Sequence, residues 1–139
     1  MAALSKLADS DTLETLYAGL APLSINAGWA KPTPSLWPLP RKNFLPFRWS
    51  WEEGKSALDA AGRLVDTEFA ERRNLILFNP VEGNTYATVR TMIAAYQAIL
   101  PGEKARSHRH TPNALRFVLE GEGAYTVVNG ERLEMKPND

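Results

Sequence analysis

The dipeptide Asn129-Gly130 constrains this chain more than any other pair of neighbours. A tight two-residue turn of type I′ needs φ > 0 at both central positions, and Asn-Gly tolerates that best. On either side stand AYTVV (124–128) and ERLEM (131–135), runs suited to strands. The spacing predicts a β-hairpin, which commits this end of the chain to antiparallel sheet. Further upstream the same character holds. LILFN (75–79) is a short apolar run, and YATVRTMIAAYQAIL (86–100) is rich in strand-favouring residues with partial alternation. Leu115, Phe117 and Leu119 alternate with Ala114, Arg116 and Val118, as a strand with two different faces would.

The first half differs. Residues 9–20, DSDTLETLYAGL, carry Leu13, Leu16, Tyr17 and Leu20 at helical spacing on one face. Asp11 with Glu14 three residues later reads as a capping box. Residues 22–49 then hold Pro22, Pro32, Pro34, Pro38, Pro40 and Pro46. Proline lacks an N–H and fixes φ, so this stretch is neither helix nor central strand. Trp29, Trp37, Phe44, Phe47 and Trp49 are interleaved with the prolines, and a flexible linker does not carry so many large apolar side chains. The stretch is expected to be an extended arm, lying against its own domain or a second subunit. Ser50 with Glu53 opens a second helix, and Gly62 suits its end. The expected division is a helical and extended region over 1–73 and a β domain over 74–139.

The 139 residues suffice for one domain with a modest core. Lys+Arg and Asp+Glu balance at 16 each, which points away from a nucleic-acid partner. There is no cysteine, so disulfides and thiolate metal sites are excluded. No apolar stretch has the length of a membrane span, and MAALSKLADSD lacks the apolar core of a signal peptide. The expected location is cytoplasmic, with no membrane partner.

Both histidines of the chain, His108 and His110, fall in SHRHTPNALRF. In a strand, residues i and i+2 share a face, so two imidazoles would stand side by side as nitrogen ligands for one metal ion. Two solvated histidines beside Arg106 and Arg109 would show the same residues. The flanks favour the metal. Gly102 lies six residues before His108, and Gly121 follows the next apolar stretch, a pattern that resembles the first motif of the cupin fold. The glutamate usual in that motif is missing, because its positions hold Asn113, Ala114 and Leu115.

With that departure, ILPGEKARSHRHTPNALRFVLEGEGAYTVVNGERLEMKP resembles the N-terminal cupin of gentisate 1,2-dioxygenases and of their relatives that cleave salicylate and 1-hydroxy-2-naphthoate. The resemblance extends upstream through WSWEE, AERRNLILFNP and AAYQAILPGE, and covers most of residues 35–137. It implies a mainly β cupin fold, a double-stranded β-helix or jelly roll, incomplete here and preceded by the helical and proline-aromatic arm. It implies Fe(II) held by three histidines without a glutamate, with His108 and His110 as two of them. It implies that Arg116 holds the carboxylate of an aromatic hydroxy-acid substrate, that Gln97 lines the pocket, and that Arg72, or its neighbour Arg73, approaches from outside the cupin strands. Dioxygen is the second substrate, gentisate the expected aromatic one, and a homo-oligomer the expected full-length assembly. Salicylate or 1-hydroxy-2-naphthoate cleavage is the competing expectation, as is a cupin-derived module that binds or dimerises without catalysis. The family's third histidine follows a PGD turn. This chain runs to Pro137-Asn138-Asp139, so the resemblance implies an N-terminal fragment of a two-cupin enzyme.

Overall fold

Leu16 and Leu20 lie fully buried on one side of the first helix, as their spacing requires. The computed structural model describes residues 7–30 and 43–139. Trp37, Pro32, Pro34, Pro38 and Pro40 of the expected arm lie outside the described residues. The chain divides into two units, Met1–Arg106 and Ser107–Asp139. The boundary expected after residue 73 falls inside the first unit, where a strand begins.

In the first unit, α1 spans Leu13–Leu20. Its cap is Thr12, one residue later than the expected Asp11. Thr12 Oγ1 accepts from the Thr15 N–H at 3.2 Å, and Thr15 Oγ1 accepts from the Thr12 N–H at 3.3 Å. The threonine pair closes the box that an Asp11–Glu14 pair was expected to close, because Thr12 is the residue whose backbone is still extended. A short 3₁₀ turn, Ala21–Leu23, leads into β1 (Ile25–Ala27), and a second, Gly28–Ala30, follows it.

The second helix, α2 (Trp51–Leu64), starts where expected. Ser50 Oγ accepts from the Glu53 N–H at 3.4 Å, and Ser50 donates its hydroxyl to Glu52 at 2.8 Å. It runs past Gly62 to Leu64. A capping glycine works by taking positive φ beyond the helix. Here the chain leaves instead through Val65 in extended geometry, so Gly62 is an ordinary helical residue. A one-turn helix, α3 (Thr67–Ala70), is capped by the Asp66 carboxylate on two backbone N–H groups.

The strands β2 (Asn74–Leu77) and β3 (Ala94–Gln97) complete an antiparallel sheet of order β1-β2-β3. Ile25, Leu77 and Ala94 are in register, as are Ala27, Leu75 and Tyr96. These rows form the face that joins α1 and α2 in one core with Leu16, Leu20, Ala57, Leu58, Ala60 and Ala61. Two details fix the spacing of α2 from the sheet. A Cβ on Gly54 would stand 2.2 Å from the Tyr96 ring, so the helix can rest on the aromatic only because residue 54 has no side chain. Tyr96 also packs edge-on against Trp51, with ring centroids 5.1 Å apart.

The run 86–100 was expected to be largely strand, and only Ala94–Gln97 is. Val89 and Met92 face each other across a tight reversal centred on Arg90-Thr91. Thr88 closes it from inside the fold. Its hydroxyl donates to the Leu77 carbonyl at 2.5 Å and accepts from the Ala94 N–H at 2.6 Å. A buried threonine thus supplies the turn that no glycine, proline or asparagine announces.

The expected arm over 22–49 is not one extended segment: its described first part forms the two 3₁₀ turns and the edge strand β1, while residues 43–50 hold no helix or strand and are tied to the sheet by Asn79. The Asn79 amide accepts from the Leu45 N–H at 3.1 Å and donates to the Leu45 carbonyl at 2.7 Å, as a neighbouring strand would. Trp49 donates its indole N–H to Ser24 at 3.0 Å and meets Phe47 edge-on.

In the second unit, β4 (Tyr125–Val128) and β5 (Glu131–Glu134) form the expected hairpin. Asn129 and Gly130 have φ of 52° and 89°, both in the left-handed region that Asn-Gly was expected to adopt. The strand expected over 114–119 is absent. Among the described residues, Val118 alone of that stretch makes backbone bonds, with Asn138 and Asp139, and no ladder forms. Every strand pairing among the described residues is antiparallel, in keeping with the expected incomplete cupin fold. Among the described residues no helix is long and apolar enough to cross a membrane.

Candidate metal centre and substrate site

The two histidines are brought together. Their ring centroids lie 5.5 Å apart with an interplanar angle of 40°. Two imidazoles bound through nitrogen to one ion at usual metal–nitrogen distances have ring centres about 5 Å apart, a spacing close to that of this pair. Both side chains are exposed.

His110 carries a further sign. Its Nδ1 lies 2.7 Å from the Pro112 carbonyl oxygen. A carbonyl can only accept, so the proton of this contact sits on Nδ1, which leaves Nε2 as the nitrogen a metal could use. Ligating histidines are commonly fixed in this way by a backbone carbonyl on the other nitrogen. The donor set suits a borderline metal such as Fe(II), which imidazole binds well. No group of three or more histidine, cysteine or acidic residues stands ready to hold a metal among the described residues. His108 and His110 therefore fit as two ligands of an incomplete set.

The other expected site residues are placed as follows. Arg116 is exposed in the second unit, as are the two histidines. Gln97 ends β3 in the first unit. The neighbouring Tyr96 turns to the core, so Gln97 points from the opposite, open face of the sheet. Arg72 lies against Glu71, Nη2 to Oε2 at 3.1 Å.

Its neighbour Arg73 does something the sequence did not suggest. The side chain is 1% exposed and its guanidinium is fully engaged. Nε and Nη2 donate to the Val65 carbonyl at 3.0 and 2.7 Å, while Nη1 and Nη2 grip the Glu103 carboxylate at 2.5 and 2.6 Å. Glu103 in turn accepts from the Leu100 N–H at 2.7 Å and donates its own N–H to the Leu100 carbonyl at 3.1 Å. Leu100-Pro101-Gly102-Glu103, with Gly102 at φ 83°, is thus a doubly closed turn, and type II turns want proline and glycine in those places. The Arg73 fork holds the Glu103 carboxyl below the usual carboxylate range. The signal available beforehand was L-P-G-E itself, a turn with an acidic residue at its last position.

The chain is similar to known proteins along most of its length. A cupin domain model matches residues 95–139. The chain is 46% identical over 104 residues to a gentisate 1,2-dioxygenase from a Ralstonia species, an alignment covering 73% of this chain and 29% of that protein. It is 41% identical over 102 residues to a 1-hydroxy-2-naphthoate 1,2-dioxygenase from a Nocardioides species, covering 72% of this chain and 26% of that one. It is 35% identical over 130 residues to a 5-aminosalicylate 1,2-dioxygenase from a Comamonas species, covering 91% and 35%. The chain spans about three tenths of the length of the curated relatives it matches. No solved structure matches it.

Proposed function

Because the chain belongs to the gentisate 1,2-dioxygenase family of cupin proteins, we propose that it supplies part of the metal and substrate site of an Fe(II)-dependent dioxygenase that opens the ring of gentisate to give maleylpyruvate. The observation that carries this reading is the histidine pair, with ring centroids 5.5 Å apart and His110 Nδ1 hydrogen-bonded to a backbone carbonyl. A bound iron would supply the one-electron chemistry through which dioxygen reacts with an electron-rich ring.

The chain's own groups do the rest. Arg116 offers a planar fork to the substrate carboxylate and so orients the ring. Gln97 offers an amide that can hydrogen-bond a phenolic oxygen. Relatives named for gentisate, 1-hydroxy-2-naphthoate and 5-aminosalicylate have in common an aromatic acid with an adjacent hydroxyl. The recognised class is therefore an ortho-hydroxy aromatic carboxylate, with gentisate the member we assign. A role in aromatic catabolism and a cytoplasmic setting belong to the same proposal.

The reading is tested by anaerobic titration of the chain with Fe(II), followed through the histidine ring protons by NMR. Selective broadening of both rings, lost in His108→Ala and in His110→Ala, is the expected result. Ring signals indifferent to Fe(II) would overturn it. Gentisate added to the loaded protein should then perturb it more than salicylate or 1-hydroxy-2-naphthoate does. The reverse order reassigns the substrate.

A further inference from the structure

We propose that the cleft between the turn before α1 and the first turn of α2 binds an aliphatic diamine or polyamine, at a site apart from the metal and substrate residues described above. The cleft has a volume of about 430 Å³, within the range usual for small-molecule sites, and it lies wholly in the first unit. Asp9 and Asp11 line it from the turn, and Glu53 lines it from α2. None of these three carboxylates has an ion pair or a side-chain hydrogen bond among the described residues.

Three acidic side chains alone mark nothing, since water satisfies them. Ser10 adds an independent sign. It stands between Asp9 and Asp11, is 7% exposed, and lines the same cleft. Its hydroxyl has no hydrogen-bonding partner among the described residues. Buried hydroxyls are nearly always partnered, so this one is left for an occupant of the cleft. The turn that carries it is fixed. Ser10 donates its N–H to the Leu7 carbonyl at 3.1 Å, and Arg63 donates to the Ala8 carbonyl. Arg63 also donates to the Asp59 carbonyl, so its guanidinium serves the backbone and not the acidic side chains of the turn.

The arrangement chooses among cations. A divalent metal needs several oxygens converging at about 2.0–2.6 Å. Among the described residues no three acidic groups converge in that way. The ligand's charge must therefore be spread over more than one centre. The cleft also has apolar lining. Leu7 packs over Gly19, where a Cβ would collide with it, and Leu23 faces the same space. Methylenes joining two ammonium groups match that combination of separated carboxylates and apolar wall. One ammonium donates to Asp9, Asp11 and the Ser10 hydroxyl, and the other donates to Glu53.

The test is titration of the full 139-residue chain with putrescine and spermidine at low salt, followed by calorimetry and by NMR of the backbone amides. Lys+Arg and Asp+Glu balance in this chain, so it has no general attraction for polycations. Saturable binding at one site is expected, with shifts confined to residues 7–23 and the start of α2. Butylamine, which has the same chain but one ammonium, should bind about fivefold more weakly than putrescine. Asp9→Asn combined with Asp11→Asn, and Glu53→Gln alone, should each weaken spermidine about two- to fivefold, as loss of a partly exposed ion pair does. Ser10→Ala should weaken it as well, and Glu131→Gln, an exposed carboxylate of the second unit, should leave it unchanged. No saturable binding, shifts spread over every acidic surface, or equal losses from Glu131→Gln would each overturn the proposal. So would displacement of spermidine by an equal concentration of Mg²⁺, which would mark the cleft as a simple counterion site.

Discussion

Arg73 and Glu103 meet as a two-pronged ion pair, Nη1 to Oε2 at 2.5 Å and Nη2 to Oε1 at 2.6 Å, with Arg73 sealed from solvent at 1% exposure. The pair joins the end of α2, through the Val65 carbonyl, to the turn that follows β3. Removing Arg73 leaves the Val65 carbonyl and a partly exposed carboxylate without their partner, and costs about 1–3 kcal/mol. Arg73→Ala should lower the urea midpoint accordingly. Arg73→Lys keeps the charge but not the fork, and should fall between that variant and the parent.

The same pair makes stability depend on acid. Arg73 lowers the Glu103 carboxyl below its unfolded value. Its contribution is therefore complete above the unfolded carboxylate range and is lost as pH falls through the lower, folded value. Denaturant curves taken between neutral pH and pH ~3 should show this loss. Glu103→Gln should flatten that part of the profile, and an unchanged slope would remove the pair from the account.

Gly54 should resist even a methyl group. Alanine favours helix over glycine by about 1 kcal/mol. Against that, its Cβ would overlap the Tyr96 ring at 2.2 Å, in contact with backbone-anchored aromatic packing. Overpacking of this kind costs about 1–3 kcal/mol, so Gly54→Ala should be net destabilising in thermal unfolding. Gly62→Ala has ordinary contacts with Leu100 and should be neutral or stabilising.

Asn79 is the tether of the arm. Asn79→Ala removes both bonds to Leu45 and leaves a backbone N–H and C=O to find water. A cost of about 1–3 kcal/mol is expected. Limited proteolysis should report it as faster cutting within residues 43–48.

Arg116 should affect substrate and not metal. Charge-assisted hydrogen bonds contribute about 1.5–3 kcal/mol, so Arg116→Gln should weaken gentisate binding by roughly ten- to a hundredfold. Fe(II) affinity, read through the histidine protons, should stay as it was. A parallel loss of both would make Arg116 part of the scaffold.

What could be read from the residues follows from how local each signal is. Asn129-Gly130, the Leu13–Leu20 periodicity and the Ser50 cap each act within a few residues, and each is where the sequence put it. The pairing of His108 with His110 is local too, and the two rings stand together. The misses are tertiary. The reversal at Arg90-Thr91 depends on Thr88 reaching Leu77, and the stretch 114–119 alternates like a strand but finds a partner only at Val118. Arg73 looks like one of two solvated arginines until Glu103, thirty residues on, comes to meet it. The role of Asn79 likewise rests on Leu45, thirty-four residues earlier.

The register Ile25↔Leu77 sets an order in time. Pairing β1 with β2 closes about fifty residues, arm and α2 included, and such closure must be met before its contacts form. The hairpin at Asn129-Gly130 closes across two residues, and hairpins of that size form in about 1–10 μs. The part of the chain that folds fastest is thus the β4–β5 hairpin, which is in place while the slower sheet assembles.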